Sequence, residues 1–598
     1  MKLFEKSIKQ VGVAAAAALL SLGLGAPEAE ACGGFFCNNT QPTVQTGERI
    51  LFTVDDDNIR AYVQVYYDGP ADDFAWIVPV ATVPDVGVGT DQVFTSLDQL
   101  TSPRFQLDYN IDDSCHELGM YFYGDEMVSE AGFANDGGDE GGGEEYVNVL
   151  AAGKAGPYNY EVVESNNSDL LVAWLNENDY EQPPEALPLI DHYVAKEMKF
   201  VAVKLQPGKD TGDIAPIILD FQEQSPCVPL VLTSIAATED MPVKAFVLGK
   251  ERAVPTNWMH VTVNEKKIDW FAMANNWWWG GGFNDLDSSY ENVLIEAIDE
   301  AEGHAFTTEF AGSSEIMKNV LDNGQYDNVS DLQAYENPTE FVMAIQSFFS
   351  GSNQLMNILL KHIPVPEGYS AQDFYNWPED YQAEYDALDI DLDALYNELI
   401  DVIVTPVKEA QEMFDKFPYL TRLYSRVPLS AMDRDPIFDF QDAGDVSNIH
   451  KATLHMTCTT EGQSFYMELE NGETFVPTTV PNWWDIDAAE NLYGTGEEGS
   501  TDDLPAAERI ELFAPGIAPR VVAEDDASYV EEQLKIKPAE KVEVPEAEIE
   551  PLSDEMDRVV GGTGERGCSS SNGPNTLGWM SMLMVGLACL RRREMSRR

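Results

Sequence analysis

Cysteine, histidine and carboxylate residues fall close together at several points in this chain, and each point can be read against a specific chemistry. Cys115-His116 sets a thiol beside an imidazole, but sequence neighbours on a strand point to opposite faces and do not converge as a nucleophile and its base must. His116-Glu117-Leu118-Gly119 lacks the second histidine that would place two zinc ligands on one helix face. His450, His455, Met456 and Cys458 are copper-binding residue types. On a strand, His450 and Cys458 share one face and His455 takes the other, so the set does not close on one metal without a bulge. His304 and Glu309 are five apart and read as groups satisfying polar atoms near a strand start.

Two further motifs fail on context. Asp285, Asp287 and Glu296 mimic a calcium loop, yet Tyr290 stands where the sharp turn requires glycine. Gly562-Thr563-Gly564-Glu565-Arg566-Gly567 matches a dinucleotide-binding fingerprint, with no strand before it and no βαβ unit around it. The best binding candidate is Asn275-Asn276-Trp277-Trp278-Trp279, followed by three glycines and Phe283. Three consecutive indoles cannot all face one core, and flat aromatics beside amides suit a glycan or partner surface. The competing reading folds Trp277, Trp278 and Trp279 back over a β domain.

The elements that must position these residues are legible from periodicity. From Arg49 to Pro84 apolar and polar residues alternate as in strands, and Phe200–Leu205 and Lys244–Leu248 repeat the pattern. After Asp287 the period becomes helical. Ser288 and Glu291 have capping-box spacing, Val293, Leu294, Ala297, Ile298 and Ala301 form a stripe, and Gly303 supplies the stop. Asp391 opens a second helical stretch. Alternation returns from Ile449 to Phe475, with Glu461-Gly462 and Asn471-Gly472 as hairpin turns. Between Val522 and Arg566 there are 14 acids, 5 bases and three prolines, the composition of a stalk. The expected class is α+β: a β-rich part over 32–284, a mainly helical part over 285–430, returning β-hairpins over 431–484, a disordered acidic linker over 485–566, and an anchor helix within 567–598.

The charge excludes one class of partner. The 598 residues hold 104 acids against 36 bases, a formal net charge of −68, and a field of that sign repels nucleic acid. Spread along the chain, it reads first as a solvated, salt-tolerant surface. Ca2+ is the one cation for which specific binding stays open, and no cofactor motif is identified.

Both ends carry targeting patterns. Lys2, Lys6 and Lys9 precede an apolar stretch from Val11 to Leu24, and Ala29-Glu30-Ala31 offers a signal peptidase its small residues before Cys32. Residues 1–31 read as a signal peptide. Export permits disulfides: the four residues between Cys32 and Cys37, two of them glycines, suit a small ring, and Cys227 with Cys458 is a weaker pairing. At the other end Cys568 precedes an apolar run, Leu577 to Leu590, and an arginine cluster. That run covers roughly 21 Å of a hydrocarbon core about 30 Å thick, which suits a segment that is removed better than a permanent single-pass anchor.

Two resemblances follow from these residues. Cys568, its polar spacer, the apolar run and the arginines resemble the MYXO-CTERM surface-sorting signal. The resemblance implies cleavage by a sortase-like intramembrane protease and attachment at the cell surface or outer membrane. Ala31 to Cys37, Phe74 to Val80, Leu232 to Ala237, His304 to Gly312 and Leu420 to Tyr424 resemble the DUF2330 family over roughly residues 31–480. It implies an exported bacterial protein with a Cys-Gly-Gly start, and it transfers no catalytic residue. The expectation is therefore a surface-anchored envelope protein, more a non-enzymatic binding or structural protein than an enzyme. The alternatives are a secreted hydrolase-type enzyme whose site is assembled from distant residues, or a glycan- or calcium-binding module. An enzyme predicts titratable groups converging in one deep pocket; a binder predicts an exposed aromatic or acidic face.

Overall fold

The alternation that begins at Arg49 folds as a hairpin of β1 (Val44–Asp55) and β2 (Asn58–Asp68), paired antiparallel. Its turn passes through Asp56 at φ 53°, a left-handed conformation that aspartate tolerates better than most residues. The computed structural model describes residues 44–68, 74–112, 148–178, 180, 182–183, 185–207, 214–273, 289–349, 352, 354–459, 462–477, 492–494, 501, 504–514 and 517–524.

The hairpin belongs to a mixed sheet of ten strands among the described residues. The other members are β4 (Asp85–Val88), β9 (Ile217–Gln222), β10 (Met241–Gly249), β12 (Met259–Val263), β13 (Ala305–Ser313), β14 (Tyr419–Val427), β20 (Ala507–Ala514) and β21 (Ile517–Glu524). The order is β21-β20-β12-β13-β14-β10-β1-β2-β9-β4. A four-stranded sheet contains β3 (Ala75–Val80), β6 (Asn148–Ala155), β7 (Tyr158–Glu164) and β8 (Lys199–Leu205). A third sheet contains β5 (Arg104–Ile111), β16 (Ile449–Thr459), β17 (Gly462–Leu469), β18 (Thr474–Phe475) and β19 (Leu492–Gly494). A short pair joins β11 (Ala253–Pro255) to β15 (Phe438–Phe440).

Helices bury apolar stripes against these sheets. Leu51, Tyr62, Phe246, Leu248 and Leu420 form one core with Phe94 and Leu97 of the Gln92–Thr101 helix and with helices from Pro338–Phe349 to Thr405–Lys416. At roughly 1.5–3 kcal/mol per fully buried aliphatic or phenyl side chain, such clusters dominate the driving force for folding. Pro406 has no N–H to give the preceding turn, and the chain widens there into a π turn over Ile400–Val404. A second core packs the Ser289–Glu300 helix and the β5-β16-β17 sheet against β12, β13 and β20. A third lies between β3, β7 and β8 and the helices Ser168–Glu177 and Ala186–Val194.

The α+β class holds, with two differences in detail. The 285–430 part contains β13 and β14, adjacent strands of the large sheet, with β14 next to β10. They are buried almost end to end, so they lack the alternation that marks a half-exposed strand. The 485–566 stretch is not all linker, because β20 and β21 extend the large sheet from within it. Bulges between Ile510 and Glu511 and between Leu512 and Ala514 break their period of two. Among the described residues no helix is long and apolar enough to cross a membrane; residues 567–598 lie outside that description.

Several expectations match element by element. The helix with the Val293–Ala301 stripe runs Ser289–Glu300 and stops where Glu302 and Gly303 take φ 57° and 73°. The Gly303 N–H then closes on Ile298 O at 2.9 Å, as in a Schellman cap. Asp391 caps the Leu392–Leu399 helix by accepting from the Ala394 N–H.

Candidate functional site

Arg422 on β14 is a fully buried cation in the strand sequence Leu-Thr-Arg-Leu-Tyr. Its Nε donates to Glu309 on β13, and its Nη1 donates to Asp98 Oδ1 at 2.8 Å. Asp98 projects from the Gln92–Thr101 helix and gathers two more cations, Arg49 on β1 at 3.0 Å and Lys244 on β10 at 3.3 Å. Three adjacent strands thus aim one base each at a single carboxylate. Arg49 continues the chain to Gln64 and Asp91, with its guanidinium against the Tyr66 and Phe94 rings.

The network extends on the Glu309 side. Tyr290 donates to Glu309 Oε1 at 2.9 Å, Tyr424 donates to Glu291 Oε1 at 2.8 Å, and Arg426 pairs with Glu291. Burial pushes the Asp98 carboxyl up, but Arg422, Lys244 and Arg49 outweigh it and leave the pKa below the ordinary carboxylate value. Burial and the neighbouring Glu309 push the Tyr290 phenol well above its usual range. The four bases Arg49, Lys244, Arg422 and Arg426 answer the four acids Asp91, Asp98, Glu291 and Glu309. Each charge is consumed by its neighbours, the arrangement of a structural seam between the first two cores rather than of a waiting acid or base.

A second polar cluster has the components of a nucleophilic relay. Thr308 Oγ1 lies 3.0 Å from His260 Nε2, and Glu511 Oε2 lies 3.8 Å from His260 Nδ1. Arg252 Nη2 donates to the same threonine oxygen at 3.0 Å and lies 3.3 Å from His260 Nε2. Burial, with Arg252 and Arg509 adding to it, drives the imidazole pKa well below its normal value. All four residues are buried, and 3.8 Å is beyond a hydrogen bond. The cluster ties β20 into the sheet, with Phe513 edge-on to His260.

An open cleft of the surface lies elsewhere. A cleft of about 520 Å³ runs between the β1–β2 turn and the Thr405–Lys416 helix. Two ion pairs lie across it, Arg60 with Asp220 and Lys416 with Asp55, each at 2.7 Å, and Glu409 and Glu412 also line it. Among the described residues no group of three or more His, Cys, Asp or Glu side chains is placed to hold a metal ion.

The residues singled out by sequence distribute as follows. Trp277, Trp278, Trp279, Asn275 and Asn276 lie outside the described residues, but the chain on either side of them is fixed. The Asp269 N–H donates to Ser289 Oγ at 2.6 Å, and Trp270 and Tyr290 both pack on the Phe105 ring. Cys32, Cys37 and Cys568 also lie outside the description. No disulfide forms among the described residues. Cys227 pairs its backbone with Ile437, Cys458 is on β16 in the third sheet, and the side chain of Cys458 is not described. His450 stacks on Phe105 and meets Glu265 at 2.6 Å, while His455 stacks on Tyr466 and meets Glu468 at 2.8 Å. The two therefore serve separate carboxylates. His304 meets Asp433 at 2.8 Å.

The ion network was not singled out by sequence reasoning. Its signal was available: Arg422 and Glu309 are opposite charges set singly inside apolar runs, a pattern that requires pairing if both runs are buried.

Residues 26–346 match a family described as an uncharacterised protein conserved in bacteria, DUF2330. No curated protein and no solved structure matches the chain.

Proposed function

The chain belongs to the DUF2330 family of uncharacterised conserved bacterial proteins, and on that premise we propose that it is an exported, surface-attached envelope protein that binds a partner without transforming it. Signal peptidase removes residues 1–31. A sortase-like intramembrane protease acts at Cys568, and the body is held at the cell surface or outer membrane. Contact with an envelope glycan or protein runs through Asn275, Asn276, Trp277, Trp278 and Trp279.

The observation that carries this reading is the clasp at the base of that segment. Asp269 and Ser289 are joined at 2.6 Å, with Trp270 and Tyr290 wedged on Phe105, so the segment leaves and rejoins the body at one fixed place. A recognition segment on a rigid base loses less entropy on binding. The interior ion network supports the same reading, since its charges are spent on one another.

Two variants test it. Cys568→Ala is expected to be exported yet lost from the surface fraction; retention with unchanged processing refutes the sorting step. Replacing Trp277, Trp278 and Trp279 with alanine is expected to abolish retention of the purified body on isolated envelope polysaccharide while its melting temperature stays within a few degrees. Equal retention by both proteins refutes the binding role.

A further inference from the structure

Glu48 is buried on β1, on the sheet face opposite its neighbour Arg49. Gln45 Nε2 donates to Glu48 Oε2 at 3.3 Å, while Gln45 Oε1 is buried with no hydrogen-bond partner. Residues three apart on a regular strand face opposite ways, and the bulge between Gln45 and Gly47 removes that opposition. Gln45 is also where the β1 backbone is tied to the segment before β10. Its N–H donates to Ala236 O at 3.0 Å, and its carbonyl accepts from the Thr238 N–H at 3.3 Å.

Among the described residues nothing nearby offers Glu48 a countercharge. Its cross-strand neighbours are Val65 on β2 and Val243 on β10, with Ser425 of β14 beyond. The charged residues of the same strands, Arg49, Lys244, Arg422 and Arg426, are engaged with Asp98, Glu309 and Glu291 on the other face. In the covering layer Tyr193 and Asp435 hydrogen-bond each other at 2.9 Å. Glu239 is exposed, and the Asp240 carbonyl accepts from Arg426 Nε at 2.7 Å.

A proton resolves both defects at once. A neutral Glu48 presents an O–H to the orphaned Gln45 Oε1 while its other oxygen keeps the bond from Nε2, giving a cyclic acid–amide pair. Once ionised, it has no proton to donate and leaves an uncompensated charge in an apolar interior. We propose that Glu48 and Gln45 form a proton-dependent latch holding the start of β1 against Ala236–Thr238, closed while Glu48 is neutral and released when it ionises.

Burial pushes the Glu48 carboxyl up from 4.5 to about 7, with the Gln45 hydrogen bond opposing. The folded state therefore binds the proton more tightly than the unfolded chain. The latch contributes its full stability below about pH 4.5 and loses it as pH rises through 7.

Glu48→Gln, which reproduces the two-bond pairing at every pH, tests the latch. Between pH 4.5 and pH 8 the unfolding equilibrium constant of the native chain is expected to rise by roughly two orders of magnitude relative to that of E48Q. Amide exchange at Thr238 and Gln45, corrected for intrinsic rates, is expected to accelerate above pH 7 in the native chain and not in E48Q. A native-to-variant ratio that is flat with pH, or exchange that rises equally in both, overturns the proposal.

Discussion

Arg422 and Glu309 form an ion pair from adjacent strands with side-chain exposures of 3% and 1%. Neither charge can be solvated in that position, so each is the other's replacement for water, with Asp98 and Tyr290 completing the shell. Removing one partner of such a pair leaves a buried charge and costs about 3–5 kcal/mol, whereas replacing both with apolar groups of similar volume is often close to neutral.

Glu309→Leu alone is therefore expected to lower unfolding stability by about 3–5 kcal/mol. Glu309→Leu combined with Arg422→Met is expected to lower it by less than either change alone. Urea denaturation of the two single variants and the double variant measures this. Additive losses would show that the seam works through packing and not through charge pairing.

The strand order makes a second prediction. β14 lies between β10 and β13 in the large sheet, yet it follows the end of the family match at residue 346. A chain ending at residue 346 lacks that strand and the helices beyond Pro338–Phe349 that cover the first core. It is expected to be aggregated or unfolded, while a chain ending at residue 524 unfolds cooperatively. Circular dichroism and size-exclusion profiles of the two decide it. A folded, monomeric 346-residue chain would mean that β10 and β13 can close on each other without β14.

How much was legible in the sequence follows from the same geometry. β2, β16 and β17 announce themselves because one face is wetter than the other, and the Ser289–Glu300 helix does so through its stripe and its glycine stop. β13 and β14 do not, since burial on both faces removes the period of two that the eye follows. β20 hides for another reason: its bulges shift the phase, and Glu508, Arg509 and Glu511 make it look like more linker. Of the site, single residues such as Glu309 were visible, but Asp98 and Arg422 are more than 300 positions apart and nothing local joins them.

The C-terminal hairpin is tied at its start by the Glu300 carboxylate. Glu300 accepts from the Ala506 N–H through Oε1 and from the Ala507 N–H through Oε2, both at 2.8 Å. Hydrogen bonds to a charged acceptor are worth about 1.5–3 kcal/mol each. Glu300→Ala is expected to accelerate amide exchange across β20 and β21 by at least tenfold while leaving β1 and β2 unchanged. Uniform acceleration throughout the sheet would instead mean that the hairpin and the sheet open as one unit.

The last prediction concerns the whole charge. With 104 acids against 36 bases, self-repulsion should weaken the folded state at low ionic strength, and either general screening or a bound divalent ion could relieve it. The two differ in concentration dependence. Screening raises the melting temperature gradually over tenths of molar NaCl, whereas a specific calcium site acts at micromolar to low millimolar calcium by mass action. The described ion pairs point to the first, because the acids of the buried network around Arg422 are already answered by bases and no described cluster is placed to hold a metal. Melting curves in dilute buffer, in added NaCl, and in calcium at matched ionic strength are expected to depend on ionic strength alone. A calcium-specific rise of several degrees would contradict this and place a cation site among the acids of the chain.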